Sequence, residues 1–295
     1  MLALAAVLAS LAPGAADGEL ARMTAYDKAA LLVVSGQPAP RGVGGVFVRR
    51  WDRNRPRPPG ALVFADQEGG AVRGFPHLPP ARPAAAYRSA GEARAAGRAT
   101  GRALRRAGVH VDLAPVLDAP TGPLGSRHFR DARFGWAFAD GLASTGVAAC
   151  AKHFPGLGTA RLSTDDHPHV RARLERAELA AFRGAVARGV PCVMTSHAFY
   201  PSLGRFRASL EARTYRQLRS YGFRGVAITD SLSIVREPPA YWPRRAVHAG
   251  ADLLLFTSPE HARRAIRSLL PLARRGDLDR HVRRVLAFRR AYGRR

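Results

Sequence analysis

Apolar residues along the chain come in short runs, separated by longer stretches in which apolar and polar positions alternate at helical spacing. Short apolar runs bounded by turn residues predict fully buried strands. They fall at residues 29–34, 43–48, 61–65, 109–114, 147–151, 191–195, 225–229 and 252–256. Helical periodicity predicts helices over 89–108, 134–145, 174–188, 210–220 and 242–249, and two arginine-rich helices from Pro259 onward close the chain. The first of these helices stops at Gly108, as expected where glycine supplies the left-handed conformation that ends a helix. Eight strands separated mostly by helices, in a chain of 295 residues, predict a single-domain TIM (β/α)8 barrel over residues 20–295. Its one irregular stretch is a proline- and arginine-rich loop over 53–59, between the second and third strands. An open doubly wound sheet is the competing arrangement, and periodicity alone does not separate the two.

The parallel strands of such a barrel all end on one rim, so the first polar group after each apolar run is a candidate for a shared pocket. The third run ends in Asp66-Gln67-Glu68-Gly69-Gly70. The fourth leads through Pro115 and Asp118 to Gly125-Ser126-Arg127-His128-Phe129. The fifth, sixth and seventh end in Lys152-His153, Ser196-His197 and Asp230-Ser231. Carboxylates, imidazoles, one ammonium and one guanidinium are thus brought together from distant parts of the chain. Neither a P-loop nor a Rossmann glycine triplet is present, and no cofactor is expected. His153, His167, His169 and His197 lack the short, regular spacing of a zinc motif, and no metal is expected.

Composition sharpens one of these positions. Of 47 basic residues only Lys28 and Lys152 are lysines, so a chain that writes arginine almost everywhere keeps a compact ammonium beside His153. The net charge of +25 raises binding to anionic polymers as a function class. The arginines are spread along the chain, however, many at helix-face spacing (Arg94, Arg98, Arg102, Arg105, Arg106), with no basic tail and no interleaved aromatics. They are read as a solvated face, and no specific nucleic-acid partner is expected. Cys150 and Cys192 both lie inside apolar runs and are expected to be buried small hydrophobes, not a disulfide or metal ligands. At the N-terminus, an apolar run over 2–12 followed by small residues over 13–16 has the form of a signal peptide or its remnant over 1–17, which predicts export to the periplasm or beyond. No basic segment precedes it, and an irregular first helix is the alternative. The run is too short to span a membrane, and no other segment is long and apolar enough to do so.

Four motifs, in order, carry a resemblance: Asp66-Gln67-Glu68-Gly69-Gly70, Ala114-Pro115-Val116-Leu117-Asp118, Lys152-His153-Phe154-Pro155-Gly156-Leu157-Gly158 and Thr229-Asp230-Ser231-Leu232-Ser233. Together they resemble the N-terminal barrel domain of glycoside hydrolase family 3, most closely its single-domain bacterial β-N-acetylglucosaminidase branch. The resemblance implies a TIM barrel and exo-acting hydrolysis of terminal β-linked N-acetylhexosamine, from peptidoglycan or related sugars, with retention through a covalent glycosyl-enzyme intermediate. It makes Asp230 the nucleophile and implies that Asp66, Arg127, Lys152 and His153 hold the sugar hydroxyls; His197 matches too, as either ligand or wall. It also implies an acid/base pair on a mobile loop, supplied here by Asp165 and His167, with Asp166 as an alternative proton carrier. The chain departs from the branch in a longer loop, in Leu157 where a second histidine is usual, and in Gly74 where an arginine is expected, with Arg73 adjacent. A β-glucosidase of the same family, and a degenerate non-catalytic barrel that binds anionic polymers, are the competing functions.

Overall fold

The structure, a computed structural model, describes residues 13–293 apart from Arg53 and Arg236. The apolar run over 2–12 lies outside the described residues. Residues 13–16 open the first helix, α1 (Pro13–Arg22), which is tied to the last helix by Arg283–Asp17 and by Arg289 and Arg290 on Glu19.

Eight parallel strands form the barrel: β1 (Val33–Ser35), β2 (Gly45–Phe47), β3 (Leu62–Ala65), β6 (Val111–Asp112), β7 (Ala148–Phe154), β8 (Cys192–Thr195), β9 (Val226–Thr229) and β10 (Leu254–Phe256). They hydrogen-bond in the order β10-β1-β2-β3-β6-β7-β8-β9, and a parallel bridge between Ile228 and Leu253 brings β9 back to β10. A small antiparallel hairpin, β4 (Gln67–Gly69) with β5 (Val72–Arg73), stands on the end of β3. Helices α2 (Ala25–Leu31), α3 (Ala90–Arg106), α4 (Ala132–Ala143), α5 (Arg176–Ala187), α6 (Ala212–Ser220), α7 (Trp242–Ala249), α8 (Pro259–Arg274) and α9 (Asp279–Tyr292) complete the fold. Every residue of the barrel strands is buried, which is why they read as continuous apolar runs without alternation. The barrel expectation is met, and the open sheet is set aside by the β9–β10 contact.

Three local expectations are corrected. Residues 29–34 were expected to form the first strand, but Ala29 to Leu31 end helix α2 and the strand begins at Val33. Thr24 and Asp27 form a reciprocal capping box that starts the helix, and because helix end and strand are both fully buried their apolar residues fuse into one run. The fifth strand continues past residue 151 through Phe154, so Lys152 and His153 sit within the strand and not beyond it. Lys152 bridges to Val116, and after a register shift Phe154 pairs with Thr195; the Lys152–His153 peptide is cis. Finally, Cys150 and Cys192 are buried as expected but are joined in a disulfide. They are register partners on the neighbouring strands β7 and β8, with Cα atoms 4.3 Å apart, a proximity that spacing along the chain does not reveal.

Above the strand ends, a second apolar cluster gathers Val116, Leu124, Leu157, Ala160, Val170, Ala172, Ala198, Tyr200, Leu203 and Ala208 from the loops after β6, β7 and β8. Leu157, the residue that departs from the family motif, is core here. Its burial contributes roughly 1.5–3 kcal/mol and fixes the root of the loop that follows β7.

Candidate active site

The rim at the C-terminal ends of the strands carries a connected set of charges. Lys152 Nζ lies 2.6 Å from Asp66 Oδ1 and 2.7 Å from Glu68 Oε1. The Arg127 guanidinium grips the same Glu68 with two bonds, Nε to Oε2 at 2.8 Å and Nη2 to Oε1 at 2.9 Å. Glu68, Lys152 and His153 are buried, whereas the Asp66 side chain is 30% exposed and presents its carboxylate to the rim. Burial alone would raise the Glu68 carboxyl, but Lys152 and Arg127 bring it down to about 2. Burial would likewise depress the Lys152 ammonium, and Asp66 and Glu68 hold it above its ordinary range. The result is a fixed array of donors and acceptors suited to discriminating sugar hydroxyls, which do both.

His153 is held from behind. Its Nδ1 lies 2.7 Å from Asp118 Oδ2, its amide donates to the same carboxylate, and Leu157 N donates to Asp118 Oδ1 at 2.9 Å. One carboxylate therefore sets both the imidazole and the start of the next loop. Burial opposes the imidazolium, but Asp118 and then Asp230 keep it above the usual histidine range. His197 is wall. Its Nδ1 is 2.6 Å from Ser209 Oγ and its Nε2 is 2.7 Å from the Ser231 carbonyl, so both ring nitrogens are occupied and neither is left for a ligand. What it does is hold the backbone next to Asp230.

Asp230 follows the last residue of β9, half-buried, with Oδ1 accepting the Ser231 amide at 2.7 Å. Burial would raise its carboxyl, but His197, His153, the Ser231 amide and Lys152 outweigh that and hold it below the usual carboxylate range. An ionised carboxylate at this position is available as a nucleophile.

The loop after β7 is anchored at its root by Glu178 on α5, whose Oε1 accepts Ala119 N at 2.9 Å and Gly158 N at 2.7 Å. Burial pushes Glu178 up to about 7 in spite of these donors. A Cβ on Gly156 would lie 2.3 Å from the Glu178 carboxyl carbon, and Gly156 has φ +123, so the motif's glycines are required by this contact. Further along, Ser163 to His167 form one helical turn, with the His167 amide donating to the Ser163 carbonyl at 3.1 Å. Thr164 is buried. Asp165 then faces the rim, with Oδ2 3.6 Å from Arg127 Nη1. His167 is exposed, and its ring makes no hydrogen bond or ion pair among the described residues; Asp166 is exposed as well.

Of the residues singled out from sequence, Asp66, Arg127, Lys152, His153, Asp230 and Asp165 are brought together, His197 binds the carbonyl next to Asp230, and His167 makes no hydrogen bond or ion pair with any of them. Arg73 does not replace the arginine absent at Gly74, because its guanidinium is spent on the carbonyls of Gly70 and Pro76. Glu68, Asp118 and Glu178 were given no role from sequence. The first two lie inside the motifs; Glu178 sits on a helix with no local signal. Among the described residues no group of three or more His, Cys, Asp or Glu gathers as a metal site, and no helix is long and apolar enough to cross a membrane.

Residues 49–288 match the glycosyl hydrolase family 3 N-terminal domain. A β-hexosaminidase of Xanthomonas oryzae pv. oryzae is 34% identical over 232 residues, covering 70% of this chain and 69% of that one. The solved family 3 β-N-acetylglucosaminidase of Paenibacillus sp. FPU-7 superposes with a TM-score of 0.80 at 28% identity, covering 92% of this chain and 63% of that longer one. LpqI of M tuberculosis superposes with a TM-score of 0.80 at 27% identity, covering 93% and 96%. The family match over most of the chain, and a strand-end site built from the motifs that suggested it, give one conclusion: the chain belongs to glycosyl hydrolase family 3 and is a β-N-acetylhexosaminidase-like glycoside hydrolase.

Proposed function

We propose that the protein is a retaining exo-β-N-acetylhexosaminidase acting on terminal β-linked N-acetylglucosamine in peptidoglycan-derived or related sugars. The observation that carries this reading is the juxtaposition, on one rim, of the Asp66–Lys152–Glu68–Arg127 array with an ionised Asp230 at the end of β9. The array holds the non-reducing sugar by its hydroxyls. Asp230 attacks the anomeric carbon and the glycosidic bond breaks, its oxygen taking a proton from a group on the loop after β7. Water then attacks the glycosyl ester from the same side, returning the proton to that group and releasing the sugar with retention. The names of the relatives support the amino sugar as substrate.

The test is incubation with a panel of aryl β-glycosides and a 2-fluoro glycosyl donor, followed by mass spectrometry. Turnover of the N-acetylglucosaminide is expected, with the fluoro-sugar trapped on the Asp230 peptide, and Asp230→Asn is expected to abolish turnover in a folded protein. Unchanged activity in that variant overturns the nucleophile. Gly74 favours a second reading, a β-glucosidase, since the branch's usual arginine is missing from the sugar subsite; preferential turnover of the aryl glucoside would establish it. Export is proposed too. It is supported by the apolar run over 2–12 and by the Cys150–Cys192 disulfide, since disulfides persist in oxidising compartments.

A further inference from the structure

On the glycosidase reading above, we infer that Glu178 is a positioning residue: its buried carboxyl clamps the roots of the loops after β6 and β7 to helix α5, and so sets where the proton-transfer loop meets the sugar site. Glu178 is the third residue of α5, where a glutamate ordinarily folds back to cap its own helix. Here its Oε1 accepts Ala119 N at 2.9 Å and Gly158 N at 2.7 Å, one amide from each loop. Over residues 156–158 every backbone polar group has a partner. Gly156 N donates to the His153 carbonyl, Leu157 N to Asp118 Oδ1 and Gly158 N to Glu178, while the three carbonyls accept from Tyr200 Oη, Ala160 N and Thr121 Oγ1 in turn. Asp118 and Thr121 belong to the loop after β6, so they join the two loops to each other. Glu178, on a helix, fixes the joined pair to the body of the barrel. A Cβ on Gly158 would lie 2.5 Å from the Ala119 Cβ and 2.9 Å from Glu178 Oε1, so the motif's second glycine is needed for this approach. The two loops meet again at the rim, where Asp165 Oδ2 lies 3.6 Å from Arg127 Nη1.

The clamp also depends on pH. Glu178 is buried, and its Oε2 has no hydrogen-bond partner among the described residues. Burial pushes the carboxyl up to about 7; the Ala119 and Gly158 amides pull it down, while the charges of Asp118 on the loop after β6 and Glu175 on its own helix push it up. From the loop after β8 it is faced by Tyr200, whose phenol burial keeps protonated. Arg130 shares with it the wall of a cavity of about 170 Å³. A carboxyl that holds its proton more tightly in the clamped loop than in water favours clamping below about 7, and that advantage is lost as pH rises through it. Ionised, Glu178 is better accommodated with the loops lifted and the carboxylate solvated.

The experiment compares wild type, Glu178→Ala and Glu178→Gln by kcat/KM on an alkyl and an activated aryl β-N-acetylglucosaminide, and by hydrogen exchange of the Ala119 and Gly158 amides. kcat/KM reports the reaction up to the Asp230 ester, where only the alkyl leaving group needs a well-placed acid. Glu178→Ala leaves both amides without their acceptor and should lose about 10–10²-fold on the alkyl glycoside, against about threefold or less on the aryl one, as a displacement of about 1 Å would give. Glu178→Gln keeps the accepting oxygen and should stay within about threefold of wild type on both near pH 6. Between pH 6 and pH 8 the wild type should fall behind Glu178→Gln on the alkyl substrate by up to about tenfold, a comparison in which the titration of the acid itself cancels. Over the same range the two amides should lose protection in wild type, after correction for intrinsic exchange, and keep it in Glu178→Gln. Should Glu178→Ala not fold, the Gln and pH comparisons decide. Equal losses on both substrates in Glu178→Ala, a Glu178→Gln with a collapsed alkyl-to-aryl ratio, or wild-type protection that ignores pH overturns the inference. A wild type that turns over no glycoside yet shows the pH-dependent protection overturns the glycosidase reading and leaves the clamp standing.

Discussion

Lys152 shows how a single side chain was both legible and incomplete in the sequence. Its rarity marked it, and the structure shows what a lysine does there: a compact ammonium reaches Asp66 and Glu68 at once while Arg127 occupies the remaining face of Glu68. The other lysine, Lys28, has a separate role, tying α2 to α9 through Asp279. A guanidinium at position 152 would be too large for a side chain that is 3% exposed and would compete with Arg127 for Glu68. Lys152→Arg is therefore expected to raise KM for the aryl N-acetylglucosaminide by about tenfold or more, with a stability loss of roughly 1–3 kcal/mol from overpacking. Steady-state kinetics and thermal melting check both. The roles of Glu68 and Asp118 could not be read in this way. Each stood inside a recognisable motif, but a buried carboxylate that neutralises a lysine is indistinguishable in sequence from one that touches substrate.

At the scale of elements, helix and strand positions followed from apolar pattern and caps; one error fell where two buried elements abut without a polar break, at residues 29–34, and another where the fifth strand runs on through the polar Lys152 and His153. The Cys150–Cys192 pairing could not be reached from pattern at all. It depends on β7 and β8 being neighbours in a given register, which is a property of the sheet. Closing a segment with a sequence separation of 42 residues restricts the unfolded chain by about 4 kcal/mol at 25 °C on chain-entropy grounds. The oxidised protein is expected to melt higher than Cys150→Ser or the reduced protein. Equal melting temperatures with and without reductant would show that the bridge contributes nothing.

For the molecule as a whole, 22 acidic residues are too few to pair with each of 47 basic ones, although some pairs, such as Arg94–Asp140 and Arg264–Glu260, do form. Self-repulsion of a net charge of +25 destabilises the compact state, and added salt screens it. The melting temperature is expected to rise as sodium chloride increases from low to moderate concentration; a flat or falling curve would mean that local pairs outweigh the net charge.

By itself the sequence determined the buried strands, the family resemblance and which strand ends carry polar groups, because burial on both faces and turn chemistry are local properties written residue by residue. Only the tertiary structure decided which of those groups meet. It set the His197 ring between Ser209 and Ser231, joined the two cysteines, set Glu178 under the loop after β7, and put Asp165 beside Arg127. Each depends on contacts between elements distant in the chain, or on the winding of a loop whose length departs from its relatives, and no local pattern encodes either.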